Sequence, residues 1–240
     1  MKKTTPISDP KAGILVPLLF FILLLSGCAA PYTIGLQKLQ EKDPCCEAIS
    51  ELGFDKLHLS QSIGFEVGEL SRAYNFETGK SFFAAYELPY YVNTYSIMIR
   101  SFMIGDQIDK AYIFFPHVIT LDKDYRVVRT FGKESFKLKK TLMGESWGLK
   151  YKLEGRIEFE ESDMSEKYII VMTTEEMLLM KSSIETMKLV PLVMPGLVTA
   201  MPFGRKETIV PHAPVGRLRL TVTSSSARKG PLKEPLKEVK

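Results

Sequence analysis

The sequence predicts a mainly β protein: an antiparallel β-sandwich of jelly-roll type, with one short N-terminal helix and one longer helix before the last strand. Three observations predict it. About eight short runs alternate apolar with polar residues, or read as apolar strand cores, between turn residues. Only two stretches carry helix signals. The 45% apolar fraction of the 240 residues is enough for a packed core. A closed barrel is the alternative arrangement of the same strands.

The chain opens with a polar stretch, residues 1–13, that holds Lys2, Lys3 and Lys11. An apolar run over residues 14–25 follows, then the small residues Ser26 and Gly27 and then Cys28. This is the layout of a secretory signal. As a helix the run spans about 18 Å, short of a bilayer core of roughly 30 Å, so it does not read as a permanent span. Leu25-Ser26-Gly27-Cys28 resembles the bacterial lipobox. That resemblance implies a diacylglycerol on the Cys28 thiol, cleavage before Cys28 and acylation of the new amine. Residues 1–27 are then a lipoprotein signal peptide, and the product is held on a membrane by two or three acyl chains, which anchor far more firmly than one. Ala29 stands where an aspartate would resemble an inner-membrane retention signal. The expected location is the periplasmic face of the outer membrane.

Residues 28–43 read as a tether, and residues 44–70 as a helix-containing N-terminal segment. Asp43-Pro44 suggests an N-cap with proline at the first helical position, so a short helix is expected over residues 44–52. Cys45 and Cys46 are disulfide candidates in an oxidising compartment. A bridge between the two neighbours, bridges to other chains and free thiols are all open. A structural role is expected over redox catalysis, because there is no C-x-x-C and no basic cluster to activate a thiolate. Metal binding lacks ligands, His58 being the nearest histidine.

The sandwich is expected over residues 71–223. Tyr74 and Phe76 precede a turn at Thr78-Gly79-Lys80, and Ser81 to Leu88 is a strand stopped by Pro89. Residues 94–104 place Tyr95, Ile97 and Ile99 on one face. Residues 110–121 suit a central strand, with Pro116 implying a bulge or an edge. Asp122-Lys123-Asp124 turns the chain into Tyr125–Phe131. In residues 149–159 Leu149, Tyr151, Leu153, Gly155, Ile157 and Phe159 alternate with charged residues, which puts one face in solvent; Gly155 is expected at a bend. Residues 167–172 return as a buried strand. Thr173 with Glu176 suggests a capping box, and Met177, Met180, Ile184 and Met187 a helical stripe facing the core. Residues 189–214 read as a long Pro-rich loop over one end of the sheets. The last strand covers residues 217–223, and residues 224–240 are expected to be a disordered tail.

Charge excludes one class of partner. Lys and Arg number 32 against 28 Asp and Glu, a net +4. Much of the excess sits in the tail, which holds Arg228, Lys229, Lys233, Lys237 and Lys240 against Glu234 and Glu238. A nucleic-acid binder carries its basic surface on the folded body, so no nucleic acid is expected.

Across residues 45–223 the chain resembles the maltose-operon periplasmic protein (MalM-like) family. The residues that carry this are 79–89 (GKSFFAAYELP), 115–122 (FPHVITLD), Leu153-Glu154-Gly155, 171–176 (VMTTEE) and 216–222 (GRLRLTV). The resemblance implies a secreted accessory protein of maltose and maltodextrin uptake, without an established enzyme activity and with no catalytic residues to carry over. The lipobox, the Cys45-Cys46 pair and the short tail set the chain apart from the soluble members.

One catalytic motif is present. Gly144-Glu145-Ser146-Trp147-Gly148 matches G-x-S-x-G, and Asp163 and His212 follow in the order of a hydrolase triad. The serine of that motif belongs on a strand-to-helix turn, whereas the residues that follow Ser146 alternate as a strand. A serine hydrolase is therefore the least favoured reading, and no enzyme, cofactor or metal is expected. The ligand-binding candidates are Trp147, Tyr90 and Tyr91, whose flat apolar faces and polar edges suit sugar rings. The expected partners are the membrane, through the lipid, and a maltodextrin or an outer-membrane porin. The alternative is an envelope assembly lipoprotein that docks another protein through residues 189–214 or the tail.

Overall fold

The computed structural model describes residues 31–90, 94–141, 150–160, 165–194 and 197–224. Cys28, Tyr91, Ser146, Trp147 and Asp163, the signal peptide and nearly all of the tail lie outside them. In chain order the elements are α1 (Pro31–Glu41), β1 (Asp55–Lys56), β2 (Ser62–Val67), β3 (Ala73–Phe76), β4 (Gly79–Phe82), β5 (Ala84–Glu87), β6 (Tyr95–Phe102), β7 (His117–Leu121), β8 (Val127–Phe131), β9 (Phe136–Lys140), β10 (Tyr151–Phe159), β11 (Tyr168–Met172), α2 (Glu175–Leu179), β12 (Lys181–Met194), β13 (Leu197–Pro211) and β14 (Gly216–Ser224).

The architecture is the expected sandwich. One five-stranded sheet runs β1-β5-β11-β7-β8 and the other β2-β14-β6-β10-β9, and neither closes into a barrel. All their pairings are antiparallel except β1 with β5. The inner faces meet in one core. Tyr86, Val118, Ile169 and Val171 of the first sheet face Ile97, Ile99, Leu153, Ile157, Leu218 and Leu220 of the second.

The first sheet is buried on its other face as well. Ala85, Ile119, Leu121, Ile170 and Met172 form a second cluster under Leu52, Phe76 and Phe83. The cover is the β3–β4 hairpin together with residues 45–54. This explains why all five residues of β11 are buried and why residues 167–172 show no polar face. The second sheet alternates instead. Leu153, Ile157 and Phe159 point inward, whereas Arg156 and Glu158 meet solvent. Its edge strand β9 presents Lys137, Lys139 and Lys140, and such charges discourage further strand pairing. Gly155 lies in mid-strand opposite Ile99 and Phe136. A Cβ there would come within 2.6 Å of the Phe136 ring, so close packing rather than a bend explains the glycine.

Several expectations are corrected. The longer helix before the last strand is only α2, five residues long. Its cap is Thr174, whose Oγ1 accepts the Met177 amide at 3.2 Å. From Lys181 the chain is strand, with Ile184 buried between exposed Ser183 and Glu185. Thirteen registered pairs with β13 override the helical stripe that the methionines suggested. The long loop over residues 189–214 is mostly this same two-stranded ribbon. The helix expected over residues 44–52 shrinks to a single 3-10 turn, Ile49–Glu51, because Pro44 pairs with Ala73 and the Cys45 amide donates to the Ala73 carbonyl at 2.8 Å. The segment read as a tether carries α1. Residues 44–70 supply an edge strand to each sheet, β1 and β2. Pro116 stands just before β7, which is central and not an edge, and the register shift in β7 falls at Thr120/Leu121.

Candidate ligand-binding cleft

One end of the sandwich gathers the C-terminal ends of β5, β7 and β10 and the N-terminal ends of β6, β8 and β11. They frame a cleft of about 630 Å³ lined by residues that include Leu88, Tyr90, Tyr95, Asp122, Phe159 and Lys167, within the size range of small-ligand sites. Pro89 stops β5, having no amide for the ladder. Backbone bonds tie the walls together, from the Leu88 amide to the Lys167 carbonyl (2.8 Å) and from the Lys167 amide to the Leu121 carbonyl (2.7 Å). Tyr95 and Phe159 stack nearly parallel, with ring centres 4.7 Å apart. Tyr90 is 98% exposed at the rim.

The charged groups of this cleft have structural duties. The Asp122 carboxylate accepts the amides of Asp124 and Arg126 and so builds the turn. Glu166 is buried against Arg129, with Nε and Oε1 2.6 Å apart, and Arg129 also covers the Phe131 and Phe159 rings. Lys123 lies 2.9 Å from Asp124, and its hydrogen bond holds that carboxyl below the usual range. A turn, an arginine and a lysine engage these three carboxylates, and the arrangement suits recognition: a flat exposed ring beside a polar rim.

The other sequence candidates fall elsewhere. Cys45 and Cys46 are joined to each other. Cys45 is exposed, and Cys46 packs with Ile49 and Phe54 under the first sheet. His212 is buried, and both its ring nitrogens are occupied. Nδ1 lies 2.7 Å from the Met177 carbonyl oxygen, which can only accept. Nε2 is therefore the acceptor for the Ser182 hydroxyl at 2.9 Å. Ser182, which sequence reasoning missed, lies within a strand rather than on a sharp turn, so the pair ties β12 to α2 rather than forming a nucleophile elbow.

Burial pulls the imidazoles of both His117 and His212 below their ordinary 6.5; Glu176 opposes this at His117 and the Met177 carbonyl at His212. Below about pH 6.5 the unfolded chain binds protons that the folded chain refuses. This contribution to stability is complete above that value and is lost as pH falls toward the lowered pKa values. The melting temperature is expected to fall as pH drops below about 6.5, and His117→Asn to flatten that part of the profile. A profile unchanged by the substitution would count against this assignment.

The fold sets the class first: a two-sheet β-sandwich with an aromatic-rimmed cleft at one end. The model of the maltose operon periplasmic protein precursor (MalM) family matches residues 78–222, more than half of the chain, and the chain belongs to that family. The family is periplasmic by its description. The match begins just before β4 and ends within β14, so α1, the Cys45-Cys46 pair and β1 to β3 precede it. No curated protein and no solved structure matches the chain.

Proposed function

We propose that this chain is a lipid-anchored, non-catalytic accessory protein of maltose and maltodextrin uptake, held by Cys28 on the periplasmic face of the outer membrane, with its sugar site in the cleft beside Tyr90. Family membership supports the pathway, and the lipobox supports the anchor. The observation that carries the sugar site is the fully exposed Tyr90 ring on the rim of a cleft bordered by hydrogen-bonding groups. A pyranose has an apolar C–H face ringed by hydroxyls, so it can use both features at once.

Calorimetry with maltoheptaose tests the site. Saturable binding is expected, and Tyr90→Ala should weaken it about two- to tenfold, the worth of one exposed aromatic face. Stability should hold, because that ring buries nothing. No heat at millimolar sugar would remove the sugar role. The anchor has a separate readout: labelled palmitate should enter the wild-type chain and not Cys28→Ala.

A further inference from the structure

The β12–β13 ribbon divides into two halves. Its lower half packs on the body, with Ile184, Thr208 and Val210 buried. Ser183, Glu185 and Glu207 stay outside. The register then shifts between Met187 and Leu189, where Gly204 takes a φ of +74°. Beyond that point Leu189–Met194 pairs with Leu197–Pro202. Among the described residues the ribbon pairs with no other strand. A lone two-stranded ribbon is marginal in water.

The sequence of the outer half is unusual for a solvated arm. Residues 189–204 (LVPLVMPGLVTAMPFG) contain no charged side chain, and Met201 is 52% exposed. Lys188 on one strand and Arg205 and Lys206 on the other bracket this stretch at one level. Glu185 and Glu207 stand one step further toward the body, and Arg205 is 3.1 Å from Glu185. The order from the tip is therefore apolar, cationic, then mixed.

We propose that the outer half of this ribbon is a membrane-surface element. Its charge-free end lodges at the boundary between headgroups and acyl chains of an anionic bilayer, with Lys188, Arg205 and Lys206 at the level of the phosphates. The apolar part spans roughly 20 Å along the strands, so a modest tilt brings it to the depth of 5–10 Å that interfacial elements reach. Deep insertion is unfavourable, because both outer edges of a two-stranded ribbon carry backbone groups that hydrocarbon cannot satisfy. Pro191 and Pro202, both within the paired strands, carry no amide donor. The cationic bracket favours lipid over a protein groove, since an apolar groove gives no reason for cations at that one height. The inference is independent of the sugar site and of the lipid on Cys28.

The test uses the unacylated full-length chain, Cys28→Ser, with Trp147→Phe to clear the background. A single tryptophan is placed at Leu192, at Met201 or, as the control, at Ser183. With phosphatidylglycerol–phosphatidylethanolamine vesicles carrying bromine-labelled acyl chains, tryptophans at 192 and 201 should shift to the blue and lose intensity, and that at 183 should do neither. Lys188→Gln with Lys206→Gln should lower partition into these vesicles about thirtyfold, at the usual worth of two surface cations. Two positions keep the test decisive if one substitution disturbs the ribbon. Water-like emission without quenching at both positions would overturn the proposal. So would photo-crosslinks from position 192 that run to an envelope protein and not to lipid.

Discussion

Ile170→Asp is expected to leave no folded protein, although position 170 lies on the face of its sheet that points away from the sandwich interior. In a plain two-layer sandwich that face meets water, and a carboxylate there would be tolerated. Here it is roofed by Leu52, Phe76 and Phe83, and Ile170 is 0% exposed. Removing the isoleucine costs about 2–5 kcal/mol by lost burial alone. An unpaired carboxylate in the same place adds several kcal/mol more. The sum reaches the whole stability of an ordinary domain, roughly 5–15 kcal/mol. Thr223→Asp is the matched control. Thr223 is exposed on the outward face of β14 in the other sheet, where a surface change costs within about 1 kcal/mol. Soluble yield and thermal melting by circular dichroism separate the two. A cooperative melt for Ile170→Asp near the wild-type temperature would mean that residues 45–54 and the β3–β4 hairpin do not seal that face.

The strands that the sequence revealed best are those with one wet face. In β10 and β14 the period of two is written directly, with Leu153 and Ile157 or Leu218 and Leu220 inward. The buried character of β11 was equally plain, but not what covers it. The cover is assembled from short pieces far apart in the chain, Leu52, Phe76 and Phe83, none with a periodicity of its own. The methionine stripe misled for a physical reason. Met177 and Ile184 are both buried, and their spacing fits two turns of a helix, yet one lies in α2 and the other in a strand. The alternation of Ser183, Ile184 and Glu185 was the competing signal, and pairing with β13 decided between them. The site was half legible. Tyr90 stood out as an aromatic at a strand end, whereas Asp122, Phe159 and Lys167 meet it only through topology.

Glu154→Gln is expected to cost about 2 kcal/mol at neutral pH and progressively less in acid. Glu154 stands opposite Arg100 on β6 and shares its face with Lys139 and Lys152. Its oxygens lie 2.9 Å from Arg100 Nε, 2.8 Å from Lys139 Nζ and 3.1 Å from Lys152 Nζ. Burial pushes this carboxyl upward, but the hydrogen bonds from Lys139, Arg100 and Lys152 outweigh it and hold the group at about 2, against an ordinary 4.5. The group is therefore depressed in the folded chain. Its contribution is complete above about pH 4.5 and is lost as pH falls toward about 2. The full displacement corresponds to roughly 3 kcal/mol, and water still reaching the carboxylate reduces this to about 2 kcal/mol. Lys152 has only 6% of its side chain exposed, so the loss of its counter-charge leaves an ammonium poorly solvated, while Arg100 and Lys152 keep other interactions that limit the damage. Urea unfolding at about pH 7 and again at about pH 3 gives the difference directly, and the wild type should lose more of its stability between the two than the variant does. Equal losses would show that the four side chains are only surface neighbours, and that the charge on this face of the second sheet contributes nothing to holding β6, β9 and β10 together.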